Sequence, residues 1–365
     1  MGDFKYKIAE KKHDRALRKL LHDNPIVGSI SIAFENEPSY FLSSLVGNEF
    51  SETIICEDEE NQKVVALLTK SIKNAYINGI ENKVGYLNNL RVDKKYRGRK
   101  VVSNAWNLFH EVHQRGGVPY YLTSIIKDNH NAKRALLSKK TGKPQFIKIG
   151  DYTTFVINLY KKKRELVGGL EVARASADDL DEIIDCLNRN GRKKQFYPCY
   201  KKEDFINSQK LRDFRIQDFF IAKKKNRIVG VVGAWNQIGF KQVVVKEYRN
   251  GMKIFKPFYN FCAKIFSFSP LPEINHSFNC LYLSFIAVDD NDKDIFRAII
   301  RRIYNRFLGK QYSYLTLGLA NNDFLSDVAR EFFSIKYESE IYLVTYKERE
   351  DELKNLIPYI ELATL

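Results

Sequence analysis

Tyr86-Leu-Asn-Asn-Leu-Arg-Val-Asp-Lys-Lys-Tyr-Arg-Gly-Arg-Lys-Val-Val102, continuing through Ser103 to Gln114, is the stretch whose reading decides the fold. Tyr86 to Val92 alternates and ends on a β-branched residue, the pattern of a buried strand. Beyond the turn, Trp106, Leu108, Phe109, Val112 and His113 fall on one face of a helix. Between strand and helix lies a tight turn with five cations, Lys94, Lys95, Arg97, Arg99 and Lys100. The first N–H groups of a helix have no intrahelical partner. A strand-to-helix turn of this composition is therefore an anion site, and phosphate suits it best.

The same residues carry a family resemblance. Val92-Asp-Lys-Lys-Tyr-Arg97-Gly98-Arg99-Lys100-Val101-Val102 resembles motif A of the GCN5-related N-acetyltransferases (GNATs), an Arg/Gln-x-x-Gly-x-Gly/Ala loop that wraps the pyrophosphate of acetyl-CoA. The resemblance implies that Arg97, Gly98, Arg99, Lys100, Val101, Val102 and Ser103 hold the pyrophosphate. It also implies that the main chain of Asn89, Leu90, Arg91 and Val92 holds the pantetheine arm and the thioester. Arg97 and Gly98 match the motif. Lys100 and Val102 stand where the family has small residues, which keeps the N–H donors but limits how closely the backbone can approach a ligand. Without the resemblance, the turn reads as a solvated basic loop on an α/β unit.

Composition sets the outer bounds. The chain has 365 residues, 44% of them hydrophobic and 13% aromatic, enough for two core-forming domains. No apolar run is long enough to span a bilayer, and the first residues lack the apolar centre of a signal peptide, so the expectation is a cytoplasmic protein with no membrane partner. Five widely spaced cysteines without a CxxC pair predict free thiols and no metal site. The formal net charge of +16 asks for an anionic partner. Residues 1–165 hold 29 Lys and Arg against 18 Asp and Glu, whereas residues 166–365 hold 31 against 26, so the excess lies mainly with the basic turn. An acyl-CoA is the favoured anion and nucleic acid the second.

Read in order, the first half predicts strand, two helices, three strands, helix, strand, helix, strand, up to Leu159. The cationic run Lys161 to Arg164 then leads to a linker at Gly168-Gly169. The second half starts the same grammar again: a strand at Leu170 to Ala175, a helix at Ala177 to Asn190, a hairpin across Lys224-Lys225-Asn226-Arg227, a central strand at Leu281 to Val288 and a helix from Asp294. The expected fold class is α/β, with two tandem GNAT-like domains, each a mixed, mostly antiparallel sheet flanked by helices. Residues 1–164 form the domain with the acyl-CoA loop, 165–350 a degenerate second domain, and 351–365 an apolar tail packed on the body. At the place of the basic turn the second half has Asp289, Asp290, Asp292 and Asp294 around Lys293, which repels pyrophosphate. Its insert, Lys241 to Phe268, is basic and aromatic, and its helical spacing reads as packing.

Acyl transfer to an amine needs a neutral amine, a polarised thioester carbonyl and a proton donor for the leaving thiolate. The resemblance implies backbone donors at Leu90 to Val92 and an Asn-x-x-Ala-x-x-Leu-Tyr pattern on the next helix. Asn129 and Ala132 fit its start, and Leu136 occupies the place of the Tyr acid. Replacements open to this sequence are Asn89, which could orient a water, the phenols of Tyr86, Tyr120 and Tyr121, and His130. The apolar tail offers Glu361 or a terminal carboxylate at Leu365 as base, by analogy with the N-myristoyltransferases, which are also tandem folds. The reading is an acyl-CoA-dependent N-acyltransferase, most simply an acetyltransferase, acting on a small-molecule or peptide amine, with catalytic candidates Asn89, Tyr121 and Leu365. A CoA-binding regulator and a Fem-like tRNA-dependent aminoacyl transferase are the alternatives.

Overall fold

The computed structural model describes residues 4–138, 142–165, 169–206, 209–346 and 353–365. In the first half run strands β1 (Phe4–Ile8), β2 (Ile30–Glu35), β3 (Phe50–Asp58), β4 (Lys63–Ile77), β5 (Ile80–Val92), β6 (Tyr121–Ile126) and β7 (Gln145–Asn158). Among them lie helices α1 (Asp14–Asp23), α2 (Tyr40–Ser44), α3 (Val101–Gly116) and α4 (His130–Leu137). The second half supplies β8 (Glu171–Arg174), β9 (Phe219–Lys224), β10 (Arg227–Trp235), β11 (Gln242–Tyr248), β12 (Cys280–Val288), β13 (Tyr314–Ala320) and β14 (Ser334–Thr345). Its helices are α5 (Leu180–Gly191), α6 (Lys202–Phe205), α7 (Gly251–Phe266), α8 (Lys293–Phe307) and α9 (Leu325–Arg330).

Twelve of these strands form one sheet in the order β1-β3-β4-β5-β6-β14-β7-β13-β12-β10-β9-β8. Read from either edge inward, the order repeats the same grammar, so the internal duplication expected from sequence is visible as a two-fold pattern. The closing strands are exchanged. β14, from the second half, pairs with β6 of the first, while β7 pairs with β13 of the second. β14 and β7 then zip together over their whole lengths, and the two half-sheets become continuous. This follows from the sequence pattern: the C-terminal parts of β7 and β14, including Phe155, Ile157, Ile341, Leu343 and Val344, are buried, as central strands require. A separate two-stranded ribbon joins β2 to β11, so the second half's insert reaches back onto the first half.

In each half one pair of neighbouring strands is parallel, β5 with β6 and β12 with β13, and the crossing helix between them is α3 or α8. Parallel neighbours need such a crossover. The predicted elements are found with boundary shifts of a few residues; of the predicted linker, Gly169 is described, while Gly168 and Lys139, the predicted end of α4, lie outside the described residues, as do parts of the expected domain boundaries near 165 and 350. The insert departs from expectation. Tyr248 and Tyr259 are buried, but Phe255, Phe258, Phe261 and Phe266 face solvent.

Candidate active site

β5 and β6 pair only at Gly85–Tyr121 and Tyr86–Leu122, and then part. The cause is a β-bulge. Leu67 pairs with Arg91 and Thr69 with Asn88, which leaves Asn89 and Leu90 together opposite Leu68. Asn89 has φ +55°, a left-handed backbone that Asn tolerates better than most residues. Two side-chain bonds close the crotch of the V: Thr123 Oγ1 donates to the Leu87 carbonyl at 2.9 Å, and the hydroxyls of Tyr86 and Ser124 are 2.9 Å apart.

A cavity of about 320 Å³ fills the opening. Its wall includes Asn88, Asn89, Leu90 and Arg91 of the bulge, and Thr123 to Ile126 of β6. On the α3 and α4 side it is closed by Trp106, Ala132, Leu136 and Phe146. On the opposite side lie Ile32 and Phe34 of β2, Val243 of β11 and Tyr282 of β12, so both halves contribute. Leu362 to Leu365 complete the lining. Most of these groups are apolar, but Asn88 Oδ1 and Trp106 Nε1 are buried without a hydrogen-bond partner among the described residues. Buried polar atoms of this kind are met by a ligand or by ordered water.

The basic turn adjoins this cavity along the chain. Lys94–Tyr96 form a single 3-10 turn, Gly98 takes φ +83°, and Lys100, itself left-handed, precedes α3 without a side-chain cap. The first intrahelical bond there is Asn104 N to Lys100 O, so the N–H groups of Val101, Val102 and Ser103 have no helical acceptor. Nothing lies within 4 Å of where a Gly98 Cβ would be. Arg97, Arg99 and Lys100 are exposed, and none has an ion pair among the described residues; Arg99 stacks over the Tyr96 ring at 5.1 Å. Asp93, the one acid of the turn, is turned inward and bonded to Lys63 at 2.5 Å. Arg91 is half-buried, and desolvation lowers its pKa to about 10. Its guanidinium donates to the Leu90 carbonyl at 2.8 Å and has no ion pair among the described residues, which leaves it able to meet an anion.

The sequence candidates separate on this geometry. Asn89, Leu90, Arg91 and Asn129 line the cavity, with Asn129 Oδ1 also capping α4 through Ala132 N at 3.1 Å. Leu365 lines it too, and its carbonyl oxygen accepts from Lys241 Nζ at 2.6 Å. Val92 and the residues of the turn lie outside its lining. Tyr121 does not reach it. Its ring lies across Gly85, where a Cβ would come within 2.1 Å, and its hydroxyl meets His113 Nδ1 at 2.8 Å on the α3 face of the sheet. Tyr120, just before β6, packs in a different cluster from Tyr121, and neither lines the slot. Tyr86 does, with burial pushing its phenol up to about 12. His130 is exposed, and Leu136 is in the wall.

Glu361 is elsewhere again. In β12 a second bulge leaves Phe285 and Ile286 opposite Val232, with Phe285 at φ +55°, the counterpart of Asn89. The V between β12 and β13 is filled by the tail. Glu361 Oε2 accepts from Phe285 N at 2.7 Å and from the Tyr359 hydroxyl at 2.8 Å, while that hydroxyl accepts from Ile286 N at 3.4 Å. Burial raises the Glu361 pKa. At the start of α8, Asp292 caps Asp294 N and Ile295 N with its own carboxylate, at 2.7 and 3.2 Å. Sequence reasoning also missed Lys73 and Lys241, which hold the tail through Thr364 Oγ1 and the carbonyls of Ala363 and Leu365. Desolvation lowers both amines to about 8. No local pattern marks them, because only the folded tail gives them partners.

No family model matches this chain, and no curated protein does. Solved structures do. The N-myristoyltransferase of Saccharomyces cerevisiae with bound myristoyl-CoA superposes with a TM-score of 0.60 at 13% identity, over 99% of this chain and 90% of that one. A GCN5-related N-acetyltransferase from Sphaerobacter thermophilus gives 0.58 at 9% identity, over 99% and 98%, and one from Anabaena variabilis 0.53 at 9%, over 94% and 73%. With the bulged, splayed strand pair, the exchanged closing strands and these superpositions together, the chain has the GNAT fold in its tandem, two-domain form.

Proposed function

We propose that the protein transfers an acyl group from an acyl-CoA to a primary amine, with the donor held by the first half, residues 1–164. The observation that carries this reading is the pairing of an open bulge with an uncapped, cation-ringed helix start on the same strand-turn-helix unit. The residues present fit the donor. Val101, Val102 and Ser103 offer N–H groups to a pyrophosphate, with Arg97, Arg99 and Lys100 around them and Gly98 leaving room for close approach. Asn89 N is the counterpart of Phe285 N, which already holds a carboxylate oxygen in the other half, so the same position on β5 suits the thioester oxygen. Asn88, Leu90, Arg91 and Val92 carry the pantetheine arm past Asn129.

Tyr86, protonated at neutral pH and hydrogen-bonded to Ser124, is placed to give the thiolate its proton. It replaces the phenol that Leu136 denies to α4. The amine enters neutral from the tail side of the cavity, where Leu365 is fixed by Lys241, and the proton it sheds on attacking the thioester returns to Tyr86, so the protons balance as the C–S bond breaks and the C–N bond forms. Because most of the wall is apolar, we assign the site an acyl group longer than acetyl. The N-myristoyltransferase neighbour, solved with myristoyl-CoA, agrees with that assignment. The remainder, residues 165–350, acts as a wall and binds no acyl-CoA of its own, since Glu361 of the tail and its own Asp292 fill the matching places.

Titration calorimetry with acetyl-CoA, octanoyl-CoA and myristoyl-CoA tests the reading. Saturable binding that tightens with chain length, and thiol release on adding primary amines, is the expected result. Absence of heat with all three donors would overturn it; binding without amine-dependent thiol release would leave a CoA-holding protein in its place.

A further inference from the structure

Helix α7 carries an outward face that the fold does not use. Its inner side, Tyr259 and Ala263, is buried against β11 and its neighbours, and Tyr259 is fixed by Asn158 Nδ2 at 3.1 Å. Its outer side shows Ile254, Phe258, Phe261 and Ile265 at i, i+4, i+7 and i+11, exposed to 82, 62, 64 and 58%. At about 100° per residue these four form one stripe along the helix. Isolated exposed apolar residues are ordinary, but a continuous apolar ridge is not.

Charge decides what covers it. The helix, GMKIFKPFYNFCAKIF, has no acidic residue. Lys253 and Lys264 lie along one edge of the stripe, and neither has an ion pair among the described residues. Beyond its C-terminal end, the Tyr160 ring stands 6.3 Å from that of Phe268, and the exposed Lys161 and Lys162 follow Tyr160 in the chain. An apolar ridge with unpaired lysines at its margin is the composition of a helix that lies in a membrane interface, its lysines reaching the headgroups. No helix among the described residues is long and apolar enough to cross a membrane, so this helix would lie on the surface.

We infer that α7 docks the protein on an anionic lipid surface, with Ile254, Phe258, Phe261 and Ile265 among the acyl chains and Lys253 and Lys264 at the phosphates. This runs against the expectation of no membrane partner, which rested on spanning segments and a leader and so did not weigh a surface helix. It does not depend on acyl transfer. The cluster behind Tyr259 also includes Ile32, Phe34 and Val243 of the cavity wall, so the docked face lies next to the apolar end of the site.

Co-sedimentation of the full chain with vesicles tests it, one set of phosphatidylcholine and one of phosphatidylcholine with phosphatidylglycerol, at low and high salt. The expected result is binding to the anionic vesicles that salt weakens, and a loss on the order of tenfold or more in partitioning for Phe258→Glu with Phe261→Glu. Both residues are exposed, so the variant should melt with the parent. Lys253→Glu with Lys264→Glu should lose the preference for anionic vesicles while leaving the apolar ridge intact. No sedimentation with either vesicle at low salt would overturn the inference. So would a parent that elutes as a dimer and a Phe variant that elutes as a monomer, which would assign the ridge to a second copy of this chain.

Discussion

The two bulges have nearly the same backbone and opposite contents. On β5, Asn89 and Leu90 open onto a cavity, and the helix that follows begins without a cap amid free cations. On β12, Phe285 and Ile286 meet Glu361 and Tyr359 of the tail, and α8 begins under the carboxylate of Asp292. Each place where the first half offers donors to an anion is filled, in the second, by a carboxylate of the chain. A duplicated fold thus keeps the same strand geometry in both copies, and side chains decide which copy stays open to a ligand.

Removing the plug has the largest expected effect. Glu361→Ala leaves the Phe285 N–H and the Tyr359 hydroxyl buried without an acceptor, and takes from Lys73 the one charge that favours its protonation. Orphaned donors and an uncompensated amine together cost about 3 kcal/mol. The midpoint in a urea titration should fall accordingly, whereas Glu361→Gln, which can still accept from Phe285 N, should lose less. A midpoint unchanged in Glu361→Ala would mean that the second slot is not held by this contact.

Reversing charge at the open site comes next. Arg97→Glu with Arg99→Glu should weaken acyl-CoA binding roughly 100-fold, about 2.7 kcal/mol, by calorimetry. Lys293→Glu at the start of α8 should leave that affinity where it was. Equal losses at the two helices would break the comparison.

Alkaline pH reads the amines that hold the tail. Lys73 and Lys241 have folded pKa values of about 8 against an ordinary 10.5. Between those limits the unfolded chain binds protons that the folded chain has released, so stability rises with pH across that window. The slope is at most about 1.4 kcal/mol per pH unit for each lysine. Lys241→Met should flatten part of the rise in melting temperature above pH 8. A parent whose stability falls steadily from pH 8 to 10 would contradict the burial of these amines.

How much of this the sequence disclosed follows from where each signal is stored. The strand, the cationic turn, α3 and the acidic turn before α8 are local, and composition over a few residues marks each of them. The bulge at Asn89 is also local but silent, because one extra residue changes the phase of a strand without changing its composition. Tyr121 was misplaced for a related reason: one residue of register exchanges the faces of a sheet, and Gly85 decides which face has room for the ring. The exchange of β7 and β14, the entry of Glu361 into the second slot and the role of Lys241 depend on residues more than 70 positions apart. For α7 the helical spacing was visible, but periodicity marks an amphipathic helix equally well whether its apolar face meets a core or a surface.

The smallest effect is the sharpest test of the contrast at the helix starts. Asp292 satisfies two N–H groups of α8, so Asp292→Ala should cost about 1 kcal/mol, the usual worth of such a cap. Lys100 stands at the same place before α3 and caps nothing, so Lys100→Ala loses no cap, and its left-handed backbone suits alanine no worse than lysine. Its stability should stay within about 0.5 kcal/mol of the parent, as for an ordinary surface change. On the proposed function bound acyl-CoA supplies the missing acceptor, so it should raise the melting temperature of the parent more than that of Lys100→Ala. If Lys100→Ala were as costly as Asp292→Ala without ligand, the start of α3 would be a closed structural end like that of α8, and the anion would have to bind elsewhere.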